Sequence, residues 1–409
     1  MKANRRLVRL VGIGFSLIVM SGALQALDET KSNTFGADTA FLGKYHKVIV
    51  LQDAEGGRVA VVPDFQGRVM TSGAGGEAGR SYGWINYDLI ASGTVRPHMN
   101  GYGGEDRFWL GPEGGQYGLF FKKGDPFDLD HWQTPALIDT EPFDTLSSDS
   151  TRTEFRRTAK VVNYAGTVFA IEIRRRVRLL TQEEASRKLG VTVGEQVKAV
   201  AFESENTVHN TGSFDWTPEK GLLSIWILGM FRPTAGTVIV MPLQPLANRS
   251  KLINDSYFGK VPEERLKIGD KAIFFRGDGR SRGKIGLRPE IARPVIGSYD
   301  PENLVLTVVK FDLGRERTYV NSTWETQKEP FAGDAVNSYN DGPLPDLSQM
   351  GPFYELESSS PARPLKKGES LRHRHATFHF EGPATELDRL ARALLGVGLE
   401  EINSAFAPK

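Results

Sequence analysis

The 409-residue chain contains no cysteine. That excludes disulfides, thiolate metal sites, a cysteine nucleophile and thiol redox chemistry. It also lacks any excess of charge, with 51 Lys and Arg against 50 Asp and Glu, so the electrostatic footprint of a nucleic-acid binder is missing. No apolar run reaches the roughly 20 residues needed to span a bilayer as a helix. There is no G-x-G-x-x-G after a strand, no P-loop and no G-x-S-x-G, which argues against nucleotide enzymes and α/β-hydrolases. Histidine is scarce, with seven in all, yet the chain is 39% hydrophobic. That is too apolar for disorder, and the length permits a large core without disulfides.

What is present begins with an address. Lys2, Arg5, Arg6 and Arg9 precede an apolar run from Leu10 to Met20, followed by Ser21, Gly22, Ala23 and Ala26. This pattern predicts a secretory signal peptide over residues 1–26, cleaved after Ala26, and hence an exported, periplasmic or extracellular protein. Without a cysteine after the run, a lipoprotein anchor is chemically impossible. The segment holds four positive charges and no negative one, so residues 27–409 carry a formal charge of −3. No membrane contact is expected after cleavage.

Residues 27–409 read as one domain, since no low-complexity linker divides them. Phe169, Ile171, Ile173, Val177 and Leu179 alternate with Glu172, Arg174, Arg176 and Arg178, the period of a strand with one wet face. Similar runs occupy Tyr45 to Leu51, Arg58 to Val62, Val197 to Val208, Leu222 to Leu228, Thr237 to Met241, Leu304 to Phe311, Phe353 to Ser358 and Leu371 to Phe380. Helical signals are confined to a Thr181–Glu184 capping box before a short helix ending near Gly190, and to a stripe of Leu387, Leu390, Leu394 and Leu395 near the C-terminus. The expected fold is all-β and mainly antiparallel, a large sandwich with a few short peripheral helices.

Three clusters hold residues suited to chemistry. The first runs from Asn100 to Gln116, where glycines allow close backbone approach and Glu105, Arg107, Trp109 and Glu113 offer charge and an aromatic platform. Sugars suit such a surface, because their axial C–H groups stack on rings and their hydroxyls need donors and acceptors. Alternatively the segment is a glycine-rich crossover loop in which Arg107 pairs internally with Glu105, Asp106 or Glu113. His98, Asn100 and Trp132 enrich the same region, although any single tryptophan is more often packing than platform. In the second cluster, Glu355 and Glu357 fall on one face of a strand with Tyr354 and Leu356 on the other, and such a carboxylate pair serves general acid and base work. In the third, His373, His375 and His379 share a face with Thr377. H-x-H spacing can chelate zinc, but a site needs further ligands, so no metal and no cofactor is expected.

The segment Gly103-Gly-Glu-Asp-Arg107-Phe-Trp-Leu-Gly-Pro-Glu113 resembles the Gly-Gly, aromatic and Pro segment of aldose-1-epimerase-like proteins and their secreted bacterial relatives. Glu203 to Gly212 resembles the strand and turn before the epimerase general-acid region. Leu356-Glu357, Pro361, Lys367-Gly-Glu369 and the run to Phe380 resemble the stretch that carries the general base. These matches keep their order over roughly residues 45 to 382. The resemblance implies a galactose-mutarotase-like supersandwich whose concave sheet binds a mono- or oligosaccharide. It implies a glutamate that takes the anomeric proton, matched by Glu357 with Glu355 as alternate, and a histidine that protonates the ring oxygen. Where that histidine belongs the chain reads Gly221-Leu-Leu-Ser-Ile-Trp226. His209, His98 and His375 are the remaining candidates for the acid. Carbohydrate binding without catalysis, and a polysaccharide lyase in which Arg107 neutralises a uronate, are the other readings that the same fold allows.

Overall fold

Alternation builds the largest sheet. Along Val168–Leu179 the odd-numbered apolar residues are buried and the intervening Arg174 and Arg176 are exposed. In the computed structural model, which describes residues 33–344 and 346–406, this strand joins a ten-stranded sheet. Its order is Leu266–Ile268, Ala272–Arg276, Val238–Pro242, Val295–Asp300, Val305–Phe311, Ser370–Glu381, Lys198–Asn210, Val168–Leu179, Arg152–Val162 and Asp144–Ser148. A six-stranded sheet runs Ile253–Asn254, Gly283–Leu287, Val336–Asn340, Tyr354–Ser359, Ser224–Phe231 and Arg107–Gly111. A three-stranded sheet of Ile49–Gln52, Gly57–Val62 and Arg68–Ala74 completes the set. The strand ladders are antiparallel, as expected of an all-β sandwich. The segment expected to be a signal peptide lies outside the described residues.

The capping box forms as the sequence predicts, starting the helix Gln182–Leu189. The leucine stripe becomes Ala384–Leu395, which lays Leu387, Leu390 and Leu394 against Phe378, Phe380 and Val308 on the outer face of the ten-stranded sheet. Helices Phe35–Leu42 and Tyr87–Ser92 are additions that lack a strong apolar period. The run expected to begin at Tyr45 enters its strand only at Ile49, because Tyr45 and His46 close the turn after the first helix. Among the described residues no helix is long and apolar enough to cross a membrane.

Between the two large sheets the interior is apolar at its flanks and polar at its centre. Phe108, Ile225, Ile227 and Val208 pack in one region, and Ile239, Ile285, Ile296 and Leu356 in another. Between them lies a hydrogen-bonded seam. Ser358 Oγ bridges His373 Nε2 at 2.8 Å and His375 Nδ1 at 2.9 Å. His379 Nε2 meets Glu105 Oε2 at 2.8 Å. The fully buried Arg175 donates to Asp106 Oδ1 and to Asn206 Oδ1, each at 2.6 Å. These hydrogen bonds offset much of the cost of burying the seam, while Asp106 Oδ2, His373 Nδ1 and His375 Nε2 have no partner among the described residues.

Candidate functional site

Arg107–Gly111 is an edge strand of the six-stranded sheet rather than a glycine-rich loop. The glycines do their work just before it. Gly103 and Gly104 adopt φ of +99° and +108°, and a Cβ at Gly103 would lie 2.1 Å from the Trp84 carbonyl oxygen.

Strand alternation then sorts the six-stranded sheet into two faces. Phe108, Leu110, Ile225, Ile227, Leu356 and Ser358 turn toward the ten-stranded sheet. The other face carries Arg107 and Trp109 from one strand, Trp226 and Leu228 from the next, Glu355 and Glu357 from the third, Tyr339 from the fourth and Lys284 from the fifth. Loops raise walls over this face and enclose a cleft of about 280 Å³. Trp132 and Trp324 stand in those walls and Arg96, His98 and Arg282 also line the space. An adjoining cavity of about 240 Å³ shares Glu113, Phe258, Lys284 and Trp324 with it.

Glu355 and Glu357 lie on the strand Tyr354–Ser359, and each receives a cation from the opposite side. Arg107, two strands away, donates from Nη2 to Glu355 Oε1 at 2.6 Å. Lys284, two strands away on the other side, donates from Nζ to Glu357 Oε2 at 3.0 Å. Two strand spacings come to about 10 Å, which is why long Arg and Lys side chains fill these positions. Trp226 Nε1 also donates to Glu357 Oε2, at 2.9 Å. Both cations cover indoles on the way, with the Arg107 guanidinium 4.6 Å from the Trp109 ring centroid and the Lys284 ammonium 4.6 Å from that of Trp226.

Electrostatically the two glutamates differ. Burial pushes the Glu355 carboxyl up to about 8; Arg107 opposes this and Glu357 adds to it. Burial pulls the Lys284 ammonium down, but Glu357, Glu113 and Glu355 together hold it above its ordinary value. Glu355 lines the cleft, and its Oε2 takes no hydrogen bond from a described residue. Glu357 is fully buried beneath the floor. Three buried atoms here, Glu357 Oε1, Arg107 Nε and Trp109 Nε1, have no protein partner among the described residues.

Glu113 organises the wall. Its Oε1 accepts from Trp132 Nε1 at 2.9 Å and from Trp324 Nε1 at 3.1 Å, and the two indoles stack with centroids 5.9 Å apart. Burial pushes the Glu113 carboxyl above its usual range, while Lys284 and the two indole donors pull it down.

Of the residues singled out by sequence, the structure brings Glu355, Arg107, Trp109, Glu113, His98 and Trp132 to the cleft. Five are placed elsewhere. Glu105 is enclosed between the sheets, accepting from the Ser72 N–H and hydroxyl and meeting His379. Asn100 is a buried loop brace that donates to Asp139. Glu357 lies under the floor. His375 faces the sandwich interior, where burial pulls it down to about 4. His209 is on the outer face of the ten-stranded sheet, 2.6 Å from Ser370 Oγ. Arg107, committed to Glu355, does not pair with Glu105, Asp106 or Glu113. Among the described residues no group of three or more His, Asp or Glu is arranged to hold a metal.

Sequence reasoning missed Lys284, Arg282, Trp324, Tyr339 and Asp341. For four of them the signal is the every-second-residue spacing of Arg282 and Lys284, and of Tyr339 and Asp341, at the ends of short strands where apolar alternation is interrupted by glycine or asparagine.

The protein Slr1438 of Synechocystis sp. PCC 6803 is similar over 83% of this chain and 96% of its own, with a TM-score of 0.51 at 12% identity. A galactose mutarotase-like protein of Lactobacillus casei is similar over 82% of this chain and 99% of its own, with a TM-score of 0.47 at 10% identity. A galactose mutarotase related enzyme of Lactobacillus acidophilus covers 82% and 97%, with a TM-score of 0.43 at 11% identity. At 12% identity the likeness to Slr1438 is one of fold alone. No curated protein matches the chain in sequence. Residues 33–406 match the model of DUF6786, a family of unknown function, and the chain belongs to that family.

Proposed function

We propose that the chain is an exported carbohydrate-active protein that holds a sugar in the cleft over the six-stranded sheet, with Glu355 as the group that exchanges a proton with it. The observation that carries this reading is the convergence of four indoles, Trp109, Trp132, Trp226 and Trp324, on one cleft that contains the buried Glu355–Arg107 pair. Flat apolar rings suit the C–H faces of a pyranose, and a carboxyl beside a guanidinium suits its hydroxyls. Arg107 Nε and Trp109 Nε1, buried donors without protein partners, belong to residues that line the same cleft.

A carboxyl raised to about 8 is protonated at neutral pH and lies near the working range of an acid catalyst. Its Oε1 accepts from Arg107, and its Oε2 has no hydrogen-bond partner among the described residues. Glu355 therefore suits delivery of a proton to a sugar oxygen, with Arg107 holding the carboxylate that remains. Glu357 is read as a positioning group, since it fixes the Trp226 indole and the Lys284 ammonium rather than reaching the cleft.

Carbohydrate binding without chemistry is the second reading. It is favoured by the histidines: among the described residues only His98 lines the cleft, and its Nδ1 sits 2.5 Å from the Trp132 carbonyl oxygen. Polarimetry or exchange NMR on freshly dissolved aldoses, alongside a glycan array, separates the two. A raised interconversion rate that Glu355→Gln abolishes supports proton transfer. Retention on glycans with no rate change supports binding alone, and neither rate change nor retention overturns the carbohydrate reading.

A further inference from the structure

The four cations of the cleft fall into two kinds. Arg107 and Lys284 are committed to Glu355 and Glu357. The guanidinium groups of Arg96 and Arg282 make no hydrogen bond or ion pair with a described residue. Arg282 instead lies over the Phe258 ring, its Cζ 3.8 Å from the centroid, a contact that uses none of its N–H donors. Phe258 meets Trp324 edge to face, so one ring supports both the cation and the aromatic wall. Arg96 projects from a loop shaped by Asn100, whose Oδ1 accepts from the Arg96 N–H at 2.7 Å and whose Nδ2 donates to the Arg96 carbonyl at 3.3 Å.

The carboxylates of the cleft show the opposite condition. Glu113 is occupied by two indoles. Asp341 accepts from the Tyr339 hydroxyl at 2.7 Å and from the Gly351 N–H at 3.0 Å. Glu355 is held by Arg107. The charged groups of the cleft left without a protein partner are therefore cationic, and they are planar guanidinium forks, the donor geometry that matches carboxylate or sulfate two bonds at a time.

We propose that the cleft takes an acidic carbohydrate, one whose ring bears a carboxylate or a sulfate, and that Arg282, with Arg96, receives the anion. This rests on the carbohydrate reading above and adds the substrate class to it. Arg282 is held beside the Trp324 wall, so a ring stacked on the indole presents its substituent to the guanidinium.

Calorimetric titration of the wild-type protein with oligosaccharides of equal length tests this, using a uronate oligomer, a sulfated galactose oligomer and a neutral galactose oligomer. At least one acidic oligomer is expected to bind about tenfold or more tighter than the neutral one. Arg282→Gln and Arg96→Gln are each expected to shrink that preference, and raising the salt concentration to weaken the acidic oligomer selectively. The uronate and sulfate arms decide which anion is preferred. Equal affinity for neutral and acidic oligomers, or a preference that survives the double substitution, overturns this inference and leaves the carbohydrate reading standing. If the folded protein binds none of the three, this inference falls, and the carbohydrate reading falls with it when the glycan array and the aldose assay are also blank.

Discussion

Arg107 and Glu355 meet at 2.6 Å although a whole strand, Ser224–Phe231, lies between the two strands that carry them. Both side chains are almost fully buried, so the pair is held in a poorly solvated place where removing one partner is costly. Breaking a buried pair from one side costs about 3–5 kcal/mol. Arg107→Met is accordingly expected to lower stability most above pH 8, where Glu355 is ionised, and adding Glu355→Gln is expected to restore part of that loss. Chemical denaturation of the two single variants and the double variant measures the coupling. Strict additivity would show that the pair contributes nothing beyond its separate parts.

Glu113 is expected to matter as an acceptor rather than as a charge. Glu113→Gln keeps an oxygen for the Trp132 and Trp324 indoles and should remain close to wild type in melting temperature. Glu113→Ala leaves two donors without their partner, at about 1–3 kcal/mol for each that stays buried, and lets the wall move. Thermal melts with a retention assay on glycans would show loss of both properties in the Ala variant. A Gln variant as damaged as the Ala variant would assign the effect to charge instead.

Stability should pass through a maximum near neutral pH. Burial pulls His373 down to about 3 and His375 to about 4. The unfolded chain takes up protons at these residues below about 6.5, so their contribution is present above that value and is lost as pH falls toward 4 and 3. Both together account for roughly 4 kcal/mol between pH 7 and 5. Glu355 acts in the other direction. Its folded value of about 8 exceeds its unfolded value, so its contribution is present below the unfolded value and is lost as pH rises through 8. Unfolding free energies measured across this range should show both limbs, with Glu355→Gln flattening the alkaline limb and His373→Gln the acid one. Unchanged limbs in these variants would contradict the assignments.

Export is expected to leave Asp28 near the new N-terminus, because the predicted cut follows Ala26. Intact-mass measurement on protein recovered from the periplasm or medium checks this. A full-length mass in the cytoplasmic fraction alone would refute it.

The strands with one wet face were legible because solvent exposure forces alternation, as in Val168–Leu179. Ser224–Phe231 is buried on both faces, so its composition marks a strand without telling which side bears the site. The same limit misplaced the histidines. Period two correctly puts His373, His375 and His379 on one face, but it does not say that this face is the sandwich interior, where Thr307 and Glu105 take both ring nitrogens of His379 and Ser358 takes one each of His373 and His375. Glu355 and Glu357 were legible as a pair for the same reason. What separated them was the reach of Arg107 and Lys284 over intervening strands, a contact between residues 248 and 73 positions apart that no local pattern encodes.

Four of the six tryptophans line the cleft, with Trp84 and Trp216 outside its lining. Titration of a glycan selected on the array, followed by tryptophan fluorescence, therefore tests the central claim most directly. A sugar held in the cleft should change the emission saturably, with a dissociation constant equal to that from calorimetry, and Trp324→Ala should weaken binding by about 2 kcal/mol. Calorimetric binding with no change in emission, and with full affinity in Trp324→Ala, would place the sugar elsewhere and contradict the account.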